Sequence, residues 1–253
     1  MRINTVRSGL ALAMGLLLAQ PALADVKVQR TSVKVGYDTL LSADKNKNLG
    51  DQGYLVVNHM TVSDWGSFIG WFRFENPLDS AENQLGKDLG PATKTWMKLD
   101  YGLGESPFNL WLQSFTLAKS TAVEENFYLG LSYDLSYGKL LGTVSMGAQY
   151  AYGSFSPTKE SFSGISGMAT SLMLGYKLTP KLIGKFYYIG QFFRSDDHQN
   201  TFGYDSYGHQ LITGVEYHVN KRVFVGTSYK HRKSWGGALE AGDELLFEAG
   251  YKF

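Results

Sequence analysis

Cysteine is absent from the 253-residue chain. Neither disulfides nor thiolate metal sites are therefore available. An excess of either charge is also missing, with 24 Lys+Arg against 23 Asp+Glu. A nucleic-acid-binding surface needs a basic field, and none exists here. Beyond residue 24 no apolar run approaches the ~20 residues of a spanning helix, which excludes a helical membrane protein. A closed β-barrel is the other structure able to cross a bilayer. A soluble β-sandwich shares the same alternating pattern and is the competing reading at this point. No 20–50-residue repeat is evident beyond a hairpin rhythm, and no low-complexity linker interrupts the chain.

What is present begins with a three-part leader. Arg2 and Arg7 give a positive start, Gly9 to Ala19 is apolar, and Ala22-Leu23-Ala24 is a small-x-small site before Asp25. Residues 1–24 read as a cleaved signal peptide and 25–253 as one outer-membrane β-barrel domain. The closing stretch supports that compartment. Leu245, Phe247, Ala249, Tyr251 and Phe253 share one strand face, opposite Leu246, Glu248, Gly250 and Lys252. An apolar row ending in an aromatic residue suits the last strand of a barrel with lipid outside and water within. Phe253 is also the feature that barrel-assembly machinery would engage.

Turn-forming residues cluster at Ser63–Gly66, Gly104–Pro107, Ser136–Lys139, Leu178–Lys181 and Val219–Arg222. Longer polar stretches lie near 42–53, 76–92, 119–126, 153–167, 195–208 and 234–242. Five turns and six loops join about twelve antiparallel strands, with both chain ends on the turn side. The fold class expected is an all-β transmembrane antiparallel barrel. Faces follow from alternation. Phe127, Leu129, Leu131, Tyr133 and Leu135 oppose Tyr128, Gly130, Ser132, Asp134 and Ser136, and Leu211 to Val219 alternates likewise. Tyr101, Tyr137, Tyr152, Tyr176 and Tyr217 near strand ends favour lipid outside. Residues 54–62 are apolar on both phases. On 182–193, Ile183, Tyr187, Ile189 and Phe193 share a phase with Lys185 and Gln191. Either a solute with apolar faces or an inward-packing loop accounts for both stretches.

Several segments carry a resemblance. Gly53-Tyr54-Leu55 leads into Ser63-Asp64-Trp65-Gly66-Ser67-Phe68-Ile69-Gly70-Trp71. With Phe127-Tyr128-Leu129-Gly130-Leu131 and Tyr187 to Phe193, this run resembles the Tsx-like nucleoside-specific channel family over most of residues 25–253. The resemblance implies a monomeric twelve-stranded barrel with a narrow, nucleoside-selective pore for passive diffusion, in the outer membrane of a Gram-negative bacterium. It also implies outer loops that phages use as receptors in some members.

Eight strands leave an interior just filled by side chains, whereas 16–18 leave an open channel. A lumen of twelve should therefore touch its solute. A nucleoside needs a stacking surface for its base and polar partners for its ribose. The inward phases offer Trp71, Trp96, Trp111, Tyr128, Tyr187 and Phe193 for the first role. They offer Arg73, Asp100, Asp134, Gln191 and Glu216 for the second. The alternative for these residues is mutual pairing across the lumen and aromatic girdles. An acidic oligosaccharide would need a ladder of cations, and only Arg73, Lys98, Lys185, Lys230 and Arg232 qualify, balanced by acids. A surface adhesin or phage-receptor barrel with a blocked lumen is another reading. No catalytic set emerges, because His231 and Ser228 or Ser234 fall on opposite strand faces, and no enzyme, cofactor or metal site is expected. Asp196-Asp197-His198 reads as a solvated acidic loop tip. The calcium-loop echo at 44–48 has Leu49 where glycine is needed and Leu55 in place of the closing glutamate.

Overall fold

A computed structural model describes residues 25–41, 50–78 and 90–253; the leader and the calcium-like loop lie outside them. Twelve strands form one closed antiparallel barrel in chain order, with β1 paired to β12. They are β1 (Val26–Leu40), β2 (Gln52–Ser63), β3 (Gly66–Glu75), β4 (Ala92–Gly102), β5 (Phe108–Lys119) and β6 (Ala122–Tyr137). The second half comprises β7 (Leu140–Phe155), β8 (Glu160–Lys177), β9 (Leu182–Phe192), β10 (Gly208–His218), β11 (Val223–Lys233) and β12 (Gly242–Lys252). A short helix, α1 (Asp196–Phe202), sits in the β9–β10 connection.

The expected turns occur where the turn residues stand; Gly138, for example, takes φ +59° between β6 and β7, a conformation glycine adopts without strain. Two connections differ from expectation. Residues 119–126 and 153–167 were expected to be long loops, yet Ser120-Thr121 and Ser156 to Lys159 are tight turns. The strands extend instead: β6, β7 and β8 run 16, 16 and 18 residues. A membrane crossing needs about 9–11. The surplus rises beyond the lipid at the loop end, where polar residues on both faces are stable in water.

The wall is apolar outside and polar inside. Leu129, Leu131, Met146, Phe247 and Val225 are exposed, whereas Lys98, Asn126, Gln149 and Glu244 are buried. Tyr101, Phe108, Tyr133, Tyr176, Tyr217 and Tyr251 ring the turn end on the outer surface, as amphipathic rings do at a lipid–water boundary. One irregularity resets the pattern on β8. Its pairing with β7 shifts between Ala148 and Tyr150, and Gly167 takes φ +77°. The bulge reverses which residues face inward, so Ser166 and Ala169 are both buried.

Inward glycines let rings lie flat on the wall. A Cβ at Gly36 would overlap the Tyr54 ring on the neighbouring strand, and one at Gly250 the Phe224 ring. The Tyr54 ring in turn carries the Arg73 guanidinium 3.6 Å above its centroid and donates its hydroxyl to Glu248 at 3.2 Å. Gly36→Val should therefore lower unfolding free energy by about 1–3 kcal/mol through overpacking. Gly53→Ala, where a Cβ meets nothing within 4 Å, should stay within about 0.5 kcal/mol. Urea unfolding of micelle-bound protein, followed by tryptophan fluorescence, measures both.

Candidate functional site

The lumen has two unlike walls, because different strands carry different inward residues. On β3 to β6 and β9 the inward positions include a set of aromatic side chains. Trp71 of β3 stacks on Trp96 with centroids 6.4 Å apart, and Trp96 meets Tyr187 edge-on at 5.7 Å. Trp96 Nε1 donates to the Tyr187 hydroxyl at 3.1 Å, and Gln113 donates to the same oxygen at 3.4 Å. Further round, Trp111 and Tyr128 stack at 5.7 Å with planes 7° apart. Gln191 donates to the Tyr128 hydroxyl at 2.6 Å. These rings, with Phe115, Leu117 and Ile189, form the buried apolar cluster of the molecule.

The wall made by β1, β3, β4, β11 and β12 is ionic. Asp38 pairs with Arg73 and with Lys230 at 3.3 Å. Glu75 pairs with Arg73 and Lys94, both at 2.8 Å. Glu244 pairs with Lys230 and Arg232. Nearer the turn end, Lys34 meets Glu248 at 2.7 Å, while Glu216 holds Lys185 at 2.7 Å and Lys252 at 3.0 Å. Buried charges need several partners to offset lost hydration, and sharing supplies them. Between the two walls lies a cavity of about 570 Å³.

Two loops fold over the loop end and interlock. Trp235, from the β11–β12 loop, packs on Phe115 with centroids 4.2 Å apart. Gly237 N donates to the Tyr204 hydroxyl at 2.7 Å, and that hydroxyl donates to Glu124 at 2.8 Å. Arg194 donates to the Ser234 carbonyl, to Gln191, and to the Asp205 carbonyl at 2.9 Å. The supposed acidic tip Asp196-Asp197-His198 is instead the first turn of α1, capped by Ser195; carboxylates suit the positive end of a helix. His198 is fully buried against Phe162, accepting or donating at Nδ1 with Ser166 Oγ at 2.7 Å. Burial, helped by the nearby Arg194 charge, lowers its pKa to about 3.

Of the residues expected to touch solute, Trp71, Arg73 and Tyr187 line the cavity. Trp96 faces inward but is buried against Trp71 and Tyr187, and Trp111 and Tyr128 are buried against each other. Asp100 is closed off by Lys98 and by Ser132 Oγ at 2.6 Å. Gln191 and Glu216 are engaged as described. Asp134 is exposed near the turn end. Phe193 is a correction: it follows the end of β9, takes φ +60°, and is 73% exposed beside Phe192. The left-handed residue breaks the alternation that had put it inside. Sequence reasoning missed Lys34 and Asp38, although Lys34-Gly36-Asp38 alternates with Val33, Val35 and Tyr37, and it missed Lys94. Trp235 and Arg194 sit in connections where no periodic signal exists.

An inverted polarity, full closure and a water-accessible lumen define an outer-membrane channel. The chain belongs to the family described as nucleoside-specific channel-forming protein, Tsx, whose model matches residues 36–253. Solved structures share the fold. The NanC porin is 10% identical, with a TM-score of 0.54, covering 88% of this chain and 100% of that one. An outer membrane channel from Pseudomonas putida F1 is 11% identical, with a TM-score of 0.51, covering 92% and 99%. A search of the curated proteins finds no match. The protein is thus a channel through which small solutes pass the outer membrane of Gram-negative bacteria.

The buried His198 yields a pH prediction. Its unfolded pKa is about 6.5 and its folded pKa about 3. A depressed folded value means that its contribution to loop stability is complete above pH ~6.5 and lost as pH falls toward 3. Hydrogen-exchange protection of residues 196–202, corrected for intrinsic rate, should decline across that window. In His198→Phe it should stay level.

Proposed function

We propose that the channel admits nucleosides by passive diffusion. The base lies against Trp71 and Tyr187, and the ribose hydroxyls meet the ionic wall at Arg73. The observation that carries this reading is the cavity itself, which sets aromatic side chains beside hydrogen-bonding ones, as with Trp71 and Arg73 on β3. Such pairing of a few placed polar groups with an apolar lining is what a small-molecule site requires. The family's description supplies the solute class. Trp96, Trp111, Tyr128 and Gln191 act behind the surface, holding Trp71 and Tyr187 in place. Asp100, Asp134 and Glu216 take no part in contact with the solute in this reading.

The remainder of the reading concerns the cell. Residues 1–24 are a cleaved leader, and the barrel works as a monomer without catalytic activity. The terminal strand ending at Phe253 engages the assembly machinery, and the outer loops offer a surface that phages can use.

The ligand part is tested by block of single-channel current in planar bilayers with adenosine or thymidine. Base–aromatic stacking contributes about 1–3 kcal/mol per base. Trp71→Ala should therefore weaken block by about five- to 150-fold, and Tyr187→Ala comparably, with the barrel still heat-modifiable on gels. Wild-type current that is indifferent to every nucleoside would refute the ligand and leave the channel.

A further inference from the structure

Resting on the nucleoside reading for its aromatic part, the charge arrangement points to a solute that also carries negative charge. Six cations line the cavity: Lys34, Arg73, Lys94, Lys185, Lys230 and Arg232. Only two acids, Glu75 and Glu248, line it with them. Asp38 and Glu244, 1% and 2% exposed, are absent from the lining, while Arg73, Lys230 and Arg232, which neutralise them and are 8%, 4% and 3% exposed, are present in it. The sharing of seven charges within one network, four positive and three negative, leaves it with a surplus cation. The lining of the cavity is therefore richer in cations than in acids. A lumen with low-dielectric walls focuses such a field on whatever enters.

A second, independent feature concerns donors. Arg232 Nε and Trp235 Nε1 are buried donors on lining residues, and neither has a hydrogen-bond acceptor among the described residues. Buried donors in native proteins are satisfied in the great majority of cases. Buried acceptors without a donor, Asp38 Oδ1 and Gln113 Oε1, lie among the same side chains, so the excess of lining cations is what favours an anionic solute. Each cation placed in the lumen by phase is ion-paired to an acid, and the imbalance arises only in which partners line the cavity. Strand phase does not say which member of a pair lines it. Lys98, which phase placed among the lumen cations, is 1% exposed and held by Asp100 and Thr143 behind the aromatic wall.

We infer that the lumen is anion-selective and that its preferred solute joins an aromatic ring to an anionic oxygen group, as a nucleoside monophosphate does. The ring rests on Trp71 and Tyr187. The anionic group is held by Arg73 and Lys94, the next inward residues beyond Trp71 and Trp96 on β3 and β4, and by Lys230 and Arg232 of β11. The cations share their acids rather than each owning one, so an arriving anion draws on charge already assembled. The solute leaves by exchange among these sites.

The test uses the full chain in planar bilayers. Across a KCl gradient the zero-current potential should have the sign that marks chloride permeation. 5′-AMP should block at a concentration on the order of tenfold below adenosine, as one charge-assisted hydrogen bond would give, and inorganic phosphate should block more weakly than AMP. Lys185→Gln, at a half-exposed position, should reduce both chloride preference and the AMP advantage without loss of the barrel. Cation selectivity, or adenosine blocking as well as AMP, overturns the inference and leaves the nucleoside reading intact. Phosphate equal to AMP also overturns it, by removing the ring from recognition. Block by none of the three overturns both.

Discussion

The rest of this structure depends on the seam between β1 and β12. Ser32 to Leu40 pair with Lys252 to Glu244 over nine consecutive positions, so the sheet has no free edge. In hydrocarbon every unpaired backbone group is costly, and closure is what makes a strand-built wall possible there. Closure also divides space into an outside and an inside. The alternation of each strand then sorts apolar rows outward and polar rows inward around the whole circumference. The seam is reinforced from within, where Lys34 of β1 is ion-paired to Glu248 of β12 and Asp38 to Lys230 of β11.

Inside, two forms of satisfaction compete for the same space. Twelve strands enclose more room than the eight whose interior side chains fill, and the aromatic cluster on β4 to β6 and β9 takes up part of it. Opposite, charged side chains cannot be left alone at low dielectric, so they form shared networks with several partners each. The cavity exists where neither wall reaches the other. Its loop-end boundary is set by Trp235, carried inward by a loop that Arg194 and Tyr204 tie down.

Much of this architecture was legible in the chain. Strand number, the five tight turns and the outer rows follow from period-two alternation and turn chemistry, both local properties. The inward assignments of Trp71, Arg73, Tyr187 and Gln191 follow from the same rule. The failures have local causes too. Polar stretches at 119–126 and 153–167 resemble loops because strands that leave the membrane lose their apolar row. Phe193 was assigned inward because a single residue with positive φ leaves no trace in periodicity. The bulge on β8 likewise reverses phase without a distinctive composition, apart from Gly167.

The sequence by itself determined a barrel with a greasy exterior and a polar interior, since each residue's face depends only on its neighbours along the strand. Which inward residues line the cavity depends on packing across the barrel. Trp111 and Tyr128 conceal one another, Asp100 is closed by Lys98 and Ser132, and Asp38 and Glu244 are buried in ion pairs. Those outcomes rest on contacts between residues far apart in the chain, such as Phe115 with Trp235. Exposure within an enclosed space is a property of the whole ring, and no single strand encodes it.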